Sequence, residues 1–306
     1  MTTPIRFDSR VVIVTGAGNG LGRDYAEAFA ARGAKVVVND VGGTARGDGR
    51  DNGVAQAVVD GIRAAGGEAV ANCESVEHGA RIVEAALDHY GRVDVIINNA
   101  GMLRDAAFHK MSDADWDLIQ RVHINGAFQV TRAAWPRLRA QRYGRVVMTS
   151  SAAGIHGNFG QANYATAKLG LFGFARALAI EGRSYDVRVN TIAPVAASRL
   201  TQTVLPPPVL AALTPQKVTP LVLLLGAECC PGTGELFEVG GGAIARLRWE
   251  RSRVVTLDGD EEAAPEQVLQ RWQTLQCFDG TDHPGSVADS FALIGGAAGV
   301  DGGLAQ

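Results

Sequence analysis

The sequence predicts an α/β fold: a doubly wound parallel sheet of seven strands with helices on both faces, followed by a C-terminal extension. Three observations predict it. Short β-branched runs alternate with Ala-rich helical stretches through residues 8–242. The runs are continuously apolar rather than alternating, which is the pattern of strands covered on both faces. A glycine-rich turn directly follows the first run, where an open α/β sheet places a ligand.

Residues 11–14, all Val or Ile, read as the first strand, and a helix follows through 25–30. Further strands are expected at 36–38, 68–72, 93–97, 145–149, 187–192 and 236–239. Strands that alternate with helices are joined by right-handed crossovers. Helices are expected at 115–138 and 162–181, and Pro136 should kink or end the first. Residues 41–53 are rich in Gly and Asp; they are either a solvated loop or a segment that closes over a ligand. No linker divides 8–242, so 1–242 reads as one domain. Beyond it Arg246, Arg248, Arg251 and Arg253 alternate, an acidic cluster spans 258–262, and 265–274 is helix-like. Residues 243–306 are therefore expected to be an extension packed on the same domain, with a loose Gly/Ala-rich tail.

The 306 residues are 46% hydrophobic and 20% charged, with a net charge of −3. That charge gives no reason to expect nucleic acid or an anionic membrane as partner. Cys73, Cys229, Cys230 and Cys277 lack metal-ligand spacing and read as reduced thiols. No apolar signal segment opens the chain, and the longest aliphatic run, 221–225, is too short to span a bilayer. The final residues are not a peroxisomal address, so a cytoplasmic setting is expected.

Chemistry concentrates in Ser151, Tyr164 and Lys168. Tyr164 and Lys168 stand at i and i+4, on one face of a helix. A free tyrosine, with a pKa of about 10, is a poor base at neutral pH. A lysine charge beside it favours the phenolate. A serine from a separate loop can hold a substrate oxygen. The turn Thr15-Gly16-Ala17-Gly18-Asn19-Gly20-Leu21-Gly22 follows a strand and opens a helix. Gly16, Gly20 and Gly22 suit a tight turn that brings a pyrophosphate to a helix N-terminus, as in a Rossmann-like fold. Asp40, at the end of the second strand, either caps a turn or accepts from both hydroxyls of an adenosine ribose. In the second case it repels a 2′-phosphate and selects NAD over NADP.

These residues resemble the short-chain dehydrogenase/reductase family. The glycine turn, Asn98-Asn99-Ala100-Gly101, Ser151 and Tyr164-x3-Lys168 stand in the family's order and spacing. The segments 38–43, 155–164 and 247–251 are similar to one branch: the (3R)-hydroxyacyl-CoA dehydrogenase domains of type 2 peroxisomal multifunctional enzymes (17β-hydroxysteroid dehydrogenase type 4) and their stand-alone bacterial relatives. The resemblance implies that Tyr164 is the base, Lys168 lowers its pKa and holds the nicotinamide ribose, and Ser151 holds the substrate oxygen. It also implies cofactor contacts at Asn19, Leu21, Ser75, Val76, Asn99 and Ala196, Ala197, Ser198 and Arg199. His123 stands where most members carry a proton-relay Asn; it either serves that relay, adding a pH-dependent element, or is a packed helical histidine. Residues 191–219 should form the substrate loop, with Val204, Leu205, Val209, Leu210 and Leu213 as its apolar wall or as packing. Arg104, Lys110 and Arg199 are candidates for a CoA phosphate.

The implied activity is NAD-dependent oxidation of (3R)-3-hydroxyacyl-CoA, with an acyl-CoA or steroid-CoA substrate, in a homodimer beside a separate hydratase. A 17β-hydroxysteroid dehydrogenase is the alternative within the family. A non-catalytic NAD-binding regulatory protein is the alternative outside it, and the intact Ser151, Tyr164 and Lys168 argue against that.

Overall fold

A computed structural model describes residues 4–196, 211–257 and 265–297, without the side chains of 294–297. The chain divides into two compact units, 1–246 and 247–306.

The first unit is the expected doubly wound sheet. Its strands are β1 (Val11–Thr15), β2 (Lys35–Asn39), β3 (Glu68–Asn72), β4 (Val95–Asn98), β5 (Gly144–Thr149), β6 (Val187–Val195) and β7 (Leu236–Gly240), and each neighbouring pair is parallel. The order is 3-2-1-4-5-6-7-8, so the winding reverses between β1 and β4. The eighth strand, β8 (Ala243–Leu247), is one more than the sequence predicts. It follows Gly241 and Gly242, both at positive φ, and a two-residue link of that kind joins antiparallel strands. The sheet thus runs past the expected boundary at 242, and the compact unit ends at 246.

Alternate strand residues feed two cores, which is why the strands read as unbroken apolar runs. Val12, Val14, Val36, Val38 and Ile97 pack with α1 (Gly20–Ala31), α2 (Gly53–Ala64) and the helix Thr219–Gly226. Val11, Ile13, Ile96, Val146 and Met148 pack with α3 (Gly79–Tyr90), α5 (Gly126–Gln141) and α7 (Ala162–Gly182). The expected helix at 115–138 is three pieces: α4 (Asp113–Gln120), a π-helical turn Arg121–Asn125, and α5. Pro136 does not end it; α5 continues to Gln141 and closes on Arg142 in the left-handed region.

At the start of β5, Arg145 is fully buried. Its guanidinium donates to the carbonyls of Gly144, Asp186, Ala227 and Glu228 and pairs with the Asp186 carboxylate at 3.2 Å. Removing it orphans those carbonyls and leaves a cavity. Arg145→Ala should cost about 3–5 kcal/mol, read as a lower denaturant midpoint at an unchanged m-value. At the upper end Asp24 of α1 accepts from Gln216 at 2.6 Å and from the Thr219 hydroxyl, mooring the start of the helix Thr219–Gly226.

The second unit holds short helices at Pro265–Gln270 and Trp272–Leu275, where one was expected, and a longer one at Val287–Ala297. Arg251 and Asp282 pair through both backbone and side chains, at 3.0 and 2.5 Å for the latter. Asp289 accepts from the backbone of Gly285 and Ser286 at the start of the last helix.

Candidate active site

The carboxyl ends of β1 and β4 meet where the winding reverses. Gly16 lies at φ +62°, and a Cβ there would stand 2.7 Å from the Ala100 Cα. Only glycine lets the turn pass that close. Asn99, expected near a ribose, donates its side-chain amide to the carbonyls of Thr15 and Gly16 at 3.0 and 3.1 Å. It shapes the turn from behind. Thr15 completes the stitch by accepting from the backbone of Asn99 and Ala100, each at 3.1 Å. Asn19 and Gly20 are exposed and Leu21 is half-buried at the opening of α1.

Asp40 is buried, and its carboxylate accepts from the backbone of Gly18 at 2.8 Å and of Gly42 at 2.7 Å. It is therefore fixed beside the glycine turn. A Cβ on Gly18 would press on it at 2.8 Å. Cradle and acid together fit a dinucleotide. Ser75 uses its hydroxyl to cap the turn Val76–His78, and Val76 packs against Gly126. Ala196 is buried just past β6. Ala197, Ser198, Arg199, Val204, Leu205, Val209 and Leu210 lie outside the described residues. The 41–53 segment is tied down: Leu103 donates to the Ala45 carbonyl at 3.1 Å, and Arg104 pairs with Asp48 at 2.6 Å. Arg104 is thus engaged, whereas Lys110 sits exposed in the turn Phe108–Lys110.

Ser151 caps the short helix α6 (Ala152–His156) by accepting from the Ala153 amide at 3.2 Å, and its hydroxyl acts to lower the pKa of the Tyr164 phenol. Tyr164 and Lys168 share a face of α7, with the ammonium 5.5 Å from the ring centroid. The Lys168 ammonium donates to the Thr149 carbonyl at 2.7 Å, and the Ser150 hydroxyl donates to the Lys168 carbonyl at 2.7 Å. Lys168 is thereby locked to the end of β5. Burial sets both titrations. It pushes the phenol up to about 12, against the Ser151 hydrogen bond and with the Asp105 charge, and it pulls the ammonium down to about 7. Lys168 is not among the causes of that shift, because an amine pulled down to about 7 is already neutral where the phenol titrates.

His123, in the π-helical turn, is buried and stands edge-on to the Tyr164 ring at 5.4 Å. Its Nε2 lies 3.2 Å from the Met102 amide and 3.0 Å from the Met102 carbonyl, and its Nδ1 has no partner among the described residues. Burial first, and the Lys168 charge second, hold its pKa well below the usual value. The imidazole is held neutral, a buried ring with one nitrogen unpartnered among the described residues.

The chain belongs to the short chain dehydrogenase family, whose model matches residues 10–205, and it is an oxidoreductase acting on a CH–OH group. Among relatives, it is 54% identical over 291 residues to peroxisomal multifunctional enzyme type 2 of Mus musculus, covering 95% of this chain and 40% of that one. It is 46% identical to a short-chain type dehydrogenase/reductase of Mycobacterium tuberculosis, covering 89% of this chain and 95% of that one. The full-length peroxisomal multifunctional enzyme type 2 structure from Drosophila melanogaster matches with a TM-score of 0.83 at 39% identity, over 98% of this chain and 51% of that one. The chain thus spans less than half of the mouse protein's length.

Proposed function

We propose that the chain is an NAD-dependent (3R)-3-hydroxyacyl-CoA dehydrogenase, forming 3-ketoacyl-CoA in fatty-acid or sterol side-chain β-oxidation. The observation that carries this is the convergence of Ser151, Tyr164 and Lys168 with the glycine turn at one end of the sheet. Ser151 holds the substrate oxygen. Tyr164 takes the hydroxyl proton. Lys168, fixed by Thr149, offers a cation to the phenolate and a donor to a ribose. NAD, held at the glycine turn, would supply the hydride acceptor. Such base and electrostatic roles contribute about 10² to 10⁴-fold each.

The acyl-CoA reading is supported by the likeness to the multifunctional enzymes and by apolar surface at Phe159, 89% exposed, and Phe108, 77% exposed. The backbone bond from Ala106 to Gly160, 2.9 Å, brings their two segments together. A homodimer is supported by exposed Phe128 on α5 and Ile180 on α7. All four cysteines are free, in keeping with a reducing compartment. Among the described residues no helix is long and apolar enough to cross a membrane.

NADH formation with 3R- and 3S-hydroxyacyl-CoA of several chain lengths, a steroid-CoA and estradiol tests the reading; faster turnover of the 3S epimer would sink it. Asp40 supports NAD through its fixed carboxylate. Asp40→Ala should lower the NAD-over-NADP preference in kcat/KM by about 10²-fold, through lost hydrogen bonds to a charged acceptor. An unchanged preference rejects the role.

A further inference from the structure

Tyr164 sits at the end of a polar clamp that the chemistry above does not use. Gln161, buried at the N-cap of α7, donates to the Asp105 carboxylate at 2.8 Å and accepts from the Asn158 amide at 2.9 Å. Asn163, fully buried, donates to the Arg104 carbonyl at 3.1 Å and accepts from the Tyr164 backbone at 2.7 Å. Ala106 donates to the Gly160 carbonyl at 2.9 Å, and Gly160 adopts φ +77° to present it. The segment after β4 and the turn entering α7 are thus joined at three successive places. Two of the joints are side-chain amides within three residues of the phenol.

The clamp also carries charge. Arg104, beside Asp105, is already paired with Asp48 at 2.6 Å and lies 3.8 Å from Asp115. No described cation forms an ion pair with Asp105. Around the phenol, Lys168 stands on its own helix, neutral His123 on the π-helical turn and Ser151 after β5; Asp105, exposed after β4, is tied to the turn before the phenol through Gln161. α4 adds apolar Leu118 and Ile119, the Asp115 carboxylate beside Arg104, and Gln120, which donates to the Asn163 carbonyl at 2.9 Å.

We propose that Asp105, acting through Gln161, is a positioning residue for Tyr164: it fixes the turn that aims the phenol and sets one unneutralised negative charge beside it. The charge opposes phenolate formation, in keeping with the direction Asp105 exerts on the phenol. Burial first, and this charge with it, holds the base protonated until substrate and coenzyme supply positive charge and hydrogen bonds. The inference rests on Tyr164 as the base but not on the identity of the substrate.

Asp105→Asn separates the two roles, because an amide oxygen still accepts from Gln161 but carries no charge. The phenol is titrated by its near-ultraviolet phenolate absorbance, with the Tyr164→Phe signal subtracted and no substrate present. Asp105→Asn should titrate about half a pH unit lower than the unaltered protein. The rising limb of kcat/KM for alcohol oxidation should move down with it, at an unchanged plateau. Asp105→Ala should show the same shift and lose about tenfold in kcat as the turn loosens. A phenol that titrates alike in all three proteins overturns the charge role. A kcat for Asp105→Ala equal to that of Asp105→Asn overturns the positioning role. A protein inactive on every hydroxyacyl-CoA yet showing the phenol shift would refute the substrate reading and leave the clamp standing.

Discussion

Tyr164→Phe should lower kcat for alcohol oxidation by about 10³-fold or more while coenzyme binding, followed by quenching of intrinsic fluorescence, changes less than twofold. The substitution removes one oxygen and keeps the ring that packs edge-on against His123. The Ser151 hydroxyl loses its phenol partner but keeps its cap on the Ala153 amide at 3.2 Å. Geometry therefore survives and proton transfer does not. A variant that retains a tenth of the rate would place the base elsewhere.

Lys168→Met should produce the second large effect, and it has two readouts. The first is a fall in kcat of about 10²-fold, as the phenolate loses its cation. The second is stability against pH. The folded pKa is about 7 and the ordinary value is 10.5. Between those values the unfolded chain binds more protons than the folded one, so stability rises with pH across that window and levels off above it. Below about pH 7 the buried ammonium is charged in both states and the gain is absent. Melting temperatures of the unaltered protein should climb from pH 7 to 10 relative to Lys168→Met. Parallel curves for the two proteins would show that burial does not depress this amine. Above pH 10 Tyr164 works in the opposite sense: its folded value of about 12 lies above the ordinary 10, so its stabilisation is present below pH 10 and lost as pH rises through 12.

The parts of the fold that declare themselves in the sequence are those whose physics is local. Continuous Val and Ile runs can only be strands with two covered faces, and the glycines at 16, 20 and 22 can only serve a turn made too close for side chains. β8 gives no such signal: Ala243, Ile244, Ala245 and Arg246 are all exposed, so neither face carries an apolar stripe. Its cue is the glycine pair before it, a hairpin signal that the arginine pattern obscures. Tyr164 and Lys168 are legible because the i, i+4 relation is a property of any helix. Their titration is not legible, because burial is set by neighbours distant in the chain. The same holds for Asn99, whose amide is spent on the glycine turn, and for His123, whose neutrality follows from Lys168 and a sealed pocket. Asp105 and Gln161 are ordinary polar residues until folding sets them 2.8 Å apart.

The mooring of Gln216 and Thr219 to Asp24 bears on how the neighbouring span is held. One side of the span 197–210 is held by the pairing of β6 with β7 up to Val195, and the other by a carboxylate on α1. Both anchors belong to the framework, so the points where that span leaves and rejoins it are set by groups outside it, and Asp24 is one of the pins that fix them.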